Sequence, residues 1–438
     1  MKTLPRLILA LPLTIGACSL PGAGQGDAVS VDLFNGTDLS GWVNINGSED
    51  TWTVRDGMII CSGKPIAVMR SERMYRNFIA EFEYRHMETG GNAGFFVWSD
   101  PLPAKGVPFT RSIEVQVIDG WETENYTSHG DVFAIHGASM TPDRPHPAGW
   151  MRCLPSERRA NGTGEWNHFR ITAIDGRIKL AVNGKEVSGG YDIRPRMGYL
   201  CLESEGTEVH FKNLKIQELP AEMRLEEELI APEARGFTSL YNGRDFQGWD
   251  FNAEHEGHWV ANDWRLSYDG KATDLWSTEE YGDFEMMVDW RWTGEAVPTE
   301  RPVIQLDGNI AKNADGSDRM ITVQDAGDSG IYLRGSSKSQ VNIWCWPIGS
   351  GEVYGYRTDG SMSAEVRAGV TPREVADAPL GEWNRFHITM IGDRLTVVLN
   401  GKTVLQGAQL PGVAARGKIA LQHHGNPLEF ANLFIREL

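Results

Sequence analysis

The segment Phe34-Asn35-Gly36-Thr37-Asp38-Leu39-Ser40-Gly41-Trp42 returns later in the chain as Tyr241-Asn242-Gly243-Arg244-Asp245-Phe246-Gln247-Gly248-Trp249. The correspondence continues in order. Trp52 matches Trp259, Phe78 matches Phe284, Gly94 matches Gly330, Glu165-Trp166-Asn167 matches Glu382-Trp383-Asn384, and Asn183-Gly184-Lys185 matches Asn400-Gly401-Lys402. Near the ends, Phe211-Lys212-Asn213-Leu214 pairs with Phe430-Ala431-Asn432-Leu433. A period this long, with only two copies, means tandem domains, because stacked solenoids use shorter repeats and at least three of them. The 438 residues also suit two or three domains of ordinary size.

Each copy carries a β pattern. Ile178 to Val182 and Leu395 to Leu399 both run into Asn-Gly, whose central residues tolerate the positive φ of a tight hairpin turn. Phe78 to Tyr84, Gly94 to Trp98, Ile113 to Ile118, Phe169 to Ala173 and Tyr199 to Glu203 add short strands separated by turn residues, the spacing of a β-sandwich. Only Ala221 to Ala234, with Glu226-Glu227-Glu228, reads as helical. These features predict domains over 30–218 and 237–438 joined by an acidic linker over 219–236.

The formal charge of −17 repels phosphate backbones and anionic headgroups, which excludes nucleic acid as a natural partner. The 15 tryptophans point instead to carbohydrate, since indole faces stack on sugar rings. At the N-terminus, Lys2 and Arg6 precede an apolar run over Leu7 to Ile15, and Ile15-Gly16-Ala17-Cys18 resembles a bacterial lipobox. This predicts a signal peptide over 1–18, acylation of Cys18, a tether over 19–29, and a cell-envelope protein that meets the membrane only through its lipid. The apolar run is too short to span a bilayer. Cys61, Cys153, Cys201 and Cys345 are then left, with isolated buried thiols favoured over disulfides.

Strand alternation selects the candidate site. Glu114 and Gln116 share one face, while Ile113, Val115 and Val117 share the core face. In the second copy Gln340, Asn342, Trp344 and Trp346 take up the polar row, so a proton acceptor has become an amide. The first copy is therefore expected to carry acid–base chemistry and the second to stack on sugar. Glu203 and Glu205 form a further carboxylate pair, matched by Gln422 and His424. The loop after Asp119 holds His129, Asp131 and His136, side chains able to shuttle a proton or hold a divalent cation, and His146 between two prolines reads as a rigid loop residue.

Phe34-Asn35-Gly36 to Gly41-Trp42, Asn92-Ala93-Gly94, Ile113-Glu114-Val115-Gln116, Gly164-Glu165-Trp166-Asn167 and Phe211-Lys212-Asn213-Leu214 resemble the 3-keto-disaccharide hydrolase domain family. So do Asp328-Ser329-Gly330-Ile331-Tyr332-Leu333-Arg334-Gly335 and Gln422-His423-His424-Gly425 in the second copy. The resemblance implies two tandem concanavalin-A-like jelly-roll sandwiches and cleavage of glycosides already oxidised at C3 of the sugar. A C3 ketone acidifies the C2 hydrogen, so a base can form an enolate and the glycosidic oxygen leaves from C1. On this reading Glu114 or His136 is the base, His129 or a cation held near Asp131 polarises the ketone, and Trp98 and Trp121 hold the ring. Gln116, Glu203, Arg334, His424 and the second-copy row complete the substrate contacts, and a sugar oxidoreductase is the implied partner. Two rival readings are a lectin-like surface protein without turnover and an ordinary glycoside hydrolase.

Overall fold

The computed structural model describes residues 29–438, so the proposed signal peptide, Cys18 and nearly all of the tether lie outside the described residues. Within them the chain is almost entirely β, arranged as two sandwiches in sequence. In the first half a nine-stranded sheet faces a seven-stranded one, and in the second an eight-stranded sheet faces a four-stranded one. Each sandwich closes over its own apolar core. Phe82, Phe95, Phe169 and Phe211 anchor the first, and Trp259, Trp290, Phe386 and Phe430 the second. The hairpin prediction holds at both Asn-Gly turns, where Asn183, Gly184, Asn400 and Gly401 all have φ between 46° and 85°.

The linker departs from its expected helix. Only Glu227–Leu229 forms a single 3-10 turn, with no side-chain cap. Adjacent glutamates repel one another, and Pro232 follows closely. The segment is instead fastened along the first half, with Ala231 N donating to Met197 O at 2.8 Å and Leu229 and Ala231 buried. Cys61, Cys153, Cys201 and Cys345 are all free thiols, and burial pushes Cys61 and Cys201 up to about 12.

The halves dock tightly. A third apolar cluster joins Ile45, Val68, Phe96, Tyr199 and Cys201 of the first half to Phe434 of the second, with Met287 packed against it. Beside it, the buried carboxylate of Asp289 accepts from Arg385 (2.6 and 2.8 Å), Asn432 (2.8 Å) and the backbone N–H of Gly106 (2.8 Å), which belongs to the first half. Gly106 has φ +72°, and a Cβ there would lie 2.3 Å from Trp383, so this contact requires glycine.

Candidate functional site

Strand register places the two site rows in equivalent positions. In the first half Gly94 pairs with Gln116 and Phe96 with Glu114; in the second Gly330 pairs with Asn342 and Tyr332 with Gln340. Leu202 lies across from Phe95, as Leu421 does from Ile331. The row Asn92, Glu114, Gln116, Glu203, Glu205 therefore becomes Asp328, Gln340, Asn342, Gln422, His424. Directly paired residues share a face, and Ile113, Val115 and Val117 lie in the core on the other side, as alternation predicts.

In the first half part of that face is covered. Phe96, Val68 and Cys201 stand in the same row as Glu114 and Glu203, and the second half packs on them. Glu114 is 6 % exposed and Glu203 2 %, and the amide row of the second half is as buried, with Gln340 and Gln422 at 8 % and Asn342 at 2 %. An ideal Cβ at Gly94 would lie 2.8 Å from Glu203 Oε2 and 3.0 Å from Glu114 Oε1. The two oxygens are thus less than about 6 Å apart, close enough for each charge to oppose the other. Glu114 is pushed up to about 8, first by burial and then by the charge of Glu205, with Arg152 pulling the other way. Burial, followed by Glu114 and Glu205, raises Glu203 well above the carboxylate range, and its Oε2 has no hydrogen-bond partner. Gln116 donates to Asn92 at 2.8 Å and to Glu114 at 3.2 Å, and Asn92 donates to Glu205.

Of the histidine loop only Asp131 touches this cluster, through Arg152, which also reaches Gln116 Oε1 at 3.4 Å. His129 bonds Glu122 at 2.7 Å through Nε2 and accepts from the Ala160 N–H at 3.1 Å, which uses both ring nitrogens. His136 follows the strand Val132–Ile135, whose Phe133 pairs with Glu114 and Ile135 with Ser112. It is therefore three residues from Glu114 along the strand, or ~10 Å. Its ring stacks on Phe109, and burial lowers its pKa. Asp131 is fully buried and accepts from Arg152 (2.8 Å), Thr127 Oγ1 (2.8 Å) and Thr127 N (3.1 Å). Among the described residues no cluster of three His, Cys, Asp or Glu is placed to hold a metal. His146 is fixed by Asn125 O at 2.8 Å and stacks on the exposed Trp150. Trp121 is exposed in the same loop, beside Tyr126.

Two candidate contacts are corrected by one shared cause. By alternation Trp98 and Arg334 continue the site rows, yet both sit at the same point of the repeat with positive φ (55° and 50°) beside a register shift. The irregularity turns each inward. Trp98 enters the core against Phe78 and donates to Arg76 O at 2.7 Å. Arg334 is spent on Gly282 O (2.9 Å), Ala414 O (3.1 Å), Gly392 O and Asp283 (2.8 Å).

The second half holds a formed cavity of about 320 Å³. Gln340, Asn342 and Gln422 line it together with Trp344, Trp346, Tyr354, His424 and Asp328. Trp344 and Trp346 stack with ring centroids 4.3 Å apart, and Trp344 Nε1 is fixed on Gly349 O at 2.7 Å. Gln340 donates to Ser329 O at 3.1 Å and to Gln422, so the amides are pre-aimed, while Asn342 Oδ1 is buried without a partner. Asp328 is pushed up to about 6, chiefly by burial, with the nearby His424 charge lowering it and Asp325 raising it. An excursion present in this half alone, the paired strands Val297–Pro302 and Met320–Asp325, backs one lining residue, with Arg301 over the Trp346 ring. Sequence reasoning missed Asp328 and Tyr354. Asp328 was available from the repeat, as the acid replacing Asn92; Tyr354 lies on the short helix Tyr354–Arg357, beyond the matched motifs.

Comparison with known families finds the 3-keto-alpha-glucoside-1,2-lyase-like domain twice, over residues 29–217 and 236–436. A search of curated proteins returned no match. Among solved structures, a candidate glycosyl hydrolase from Parabacteroides distasonis is 24% identical, with 44% of this chain and 94% of that one covered and a TM-score of 0.34. The carbohydrate-binding module CBM66 from Bacillus subtilis is 14% identical over 41% of this chain and 96% of its own, TM-score 0.31. A β-1,3-1,4-glucanase from a mouse hindgut metagenome is 14% identical over 43% and 98%, TM-score 0.30.

Proposed function

The chain belongs, through both of its halves, to the 3-keto-alpha-glucoside-1,2-lyase-like domain family, and from that premise we propose that its second half eliminates the aglycone from 3-keto-glycosides. The observation that carries this reading is the cavity that sets one carboxylate, Asp328, and one imidazole, His424, among amides and indoles. At about 320 Å³ it suits a sugar of one or two rings.

Ionised Asp328 takes the C2 hydrogen as a proton, and the C–H electrons pass into an enolate on the C3 oxygen. The enolate then expels the glycosidic oxygen from C1, leaving a 1,2-unsaturated 3-keto sugar. His424 donates to the departing oxygen. A base near pKa 6 is mostly ionised at neutral pH yet basic enough to accept the proton. Gln340, Asn342 and Gln422 hold the ring hydroxyls and the developing oxyanion, and Trp346 and Tyr354 cover the sugar face. Water adding across the new double bond regenerates a 3-keto sugar. Export, lipid anchoring and supply of the ketone by a sugar oxidoreductase belong to the same proposal and rest on the lipobox and on the substrate's chemistry.

The experiment is to give the protein 3-keto-trehalose or an aryl 3-keto-glucoside and follow aglycone release, with exchange of the C2 hydrogen read in deuterated water. Exchange and release are expected together, and neither from the unoxidised glycoside. Release without C2 exchange, or equal release from the unoxidised glycoside, rejects the elimination.

A further inference from the structure

The seam between the halves holds a second cavity, of about 490 Å³, that shares no lining residue with the Asp328 pocket. Lys64, Ile66 and Gly206 line it from the first half, and Gly243, Arg244 and Asp263 from the second. Its walls are held together. Ile66 N donates to Asp263 Oδ1 at 2.8 Å, Arg244 pairs with Asp50, and a Cβ at Gly243 would lie 2.7 Å from Pro65 Cγ. Ser204 pairs with Ala67, so one further step of the same register brings Glu205, on the site-bearing face, across from the lining residue Ile66. Glu205 is only half-buried and is steadied by the Asn92 amide.

The chemistry of the lining is mixed. Lys64 and Arg244 donate, Asp50 and Asp263 accept, and Pro65 and Ile66 supply an aliphatic patch. An anionic or cationic ligand leaves one set of these charges opposed. A neutral polyhydroxylated ligand satisfies both sets, because each hydroxyl donates and accepts while the C–H face of the ring packs on carbon. We propose that the seam is a second saccharide-binding site, present only when the halves are docked, that takes a neutral, unoxidised disaccharide.

The test is calorimetric titration of the full chain with trehalose and with maltose, neither of which the proposed elimination consumes. Trp346→Ala, which alters the second-half pocket, is expected to leave one disaccharide site intact. The Lys64→Ala/Arg244→Ala pair, both exposed side chains, is expected to weaken that site at least about tenfold while cleavage of a 3-keto-glucoside continues unchanged. Ile66→Trp fills the cavity and is expected to do the same, with the thermal transition checked to show that the chain is folded. The inference fails if Trp346→Ala removes all binding, if the Lys64/Arg244 pair leaves binding unchanged, or if neither sugar binds at millimolar concentration. Because binding is read without turnover, loss of the elimination reading leaves this result standing, and the reverse also holds.

Discussion

The two halves of this molecule share strand order, register and even a positive-φ irregularity at Trp98 and Arg334, yet they treat the same face in opposite ways. The first half presents Glu114, Glu203 and Glu205 on a face partly covered by the second, and burial makes these carboxylates resist ionising. The second half presents amides at two of the corresponding positions and places one acid, Asp328, where the first has Asn92, in the lining of a formed cavity. The comparison teaches that the number of carboxylates in a row is a poor guide to where proton transfer occurs. Access decides it, since a base must reach the proton it removes.

Four substitutions sharpen or break that contrast. The largest effect is expected from Asp328→Asn, which removes the base and is predicted to lower kcat/KM for a 3-keto-glucoside by about 10²–10⁴, whereas Glu114→Gln changes it by less than about threefold. The opposite pattern in steady-state kinetics moves the chemistry to the first half. Next, Asp289→Ala leaves Arg385 and Asn432 without their shared acceptor beside the seam and is predicted to cost about 3–5 kcal/mol in denaturant unfolding. A cost below about 1 kcal/mol shows that the contact does not hold the halves together.

Third comes the pH dependence of stability. Glu114 is raised in the folded protein to about 8 from an ordinary 4.5, so the folded state holds more protons across that window. Below about pH 4.5 both states are protonated and nothing is lost; as pH rises toward 8 stability falls. Glu114→Gln abolishes this drain and is predicted to be more stable than the parent at pH 8 by at least about one pKa unit's worth, ~1.4 kcal/mol, but not at pH 4. Equal differences at the two pH values count against a buried, strained acid. The smallest effect concerns Asp328, pushed up to about 6, which sets the acidic limb of kcat/KM. His424→Gln removes a charge that lowers the Asp328 pKa, so the limb is predicted to move to higher pH even as the rate drops. An unmoved limb separates the two groups.

Much of the architecture was legible because it rests on local rules. The Asn-Gly turns demanded left-handed backbone, and alternation correctly sent Ile113, Val115 and Val117 inward and Glu114 and Gln116 to the other face. Alternation failed at Trp98 and Arg334, because an irregularity in one strand depends on how its neighbour pairs and leaves no mark on hydrophobic period. The helix expected of the linker failed for another reason, since tertiary anchoring of Leu229 and Ala231 outweighs helix propensity. His129, Asp131 and His136 are close in sequence yet face Glu122, Arg152 and Phe109, three separate environments.

The order of residues by itself determined that this protein is a duplicated β-sandwich with one polar row per half, since period-two alternation and turn chemistry act over a few residues. What covers each row was decided only by the tertiary structure. The packing of Phe434 and Met287 on Phe96 and Val68, and the insertion rising beside Trp346, join residues far apart in the chain, and burial set by such contacts governs whether a carboxylate can hold charge.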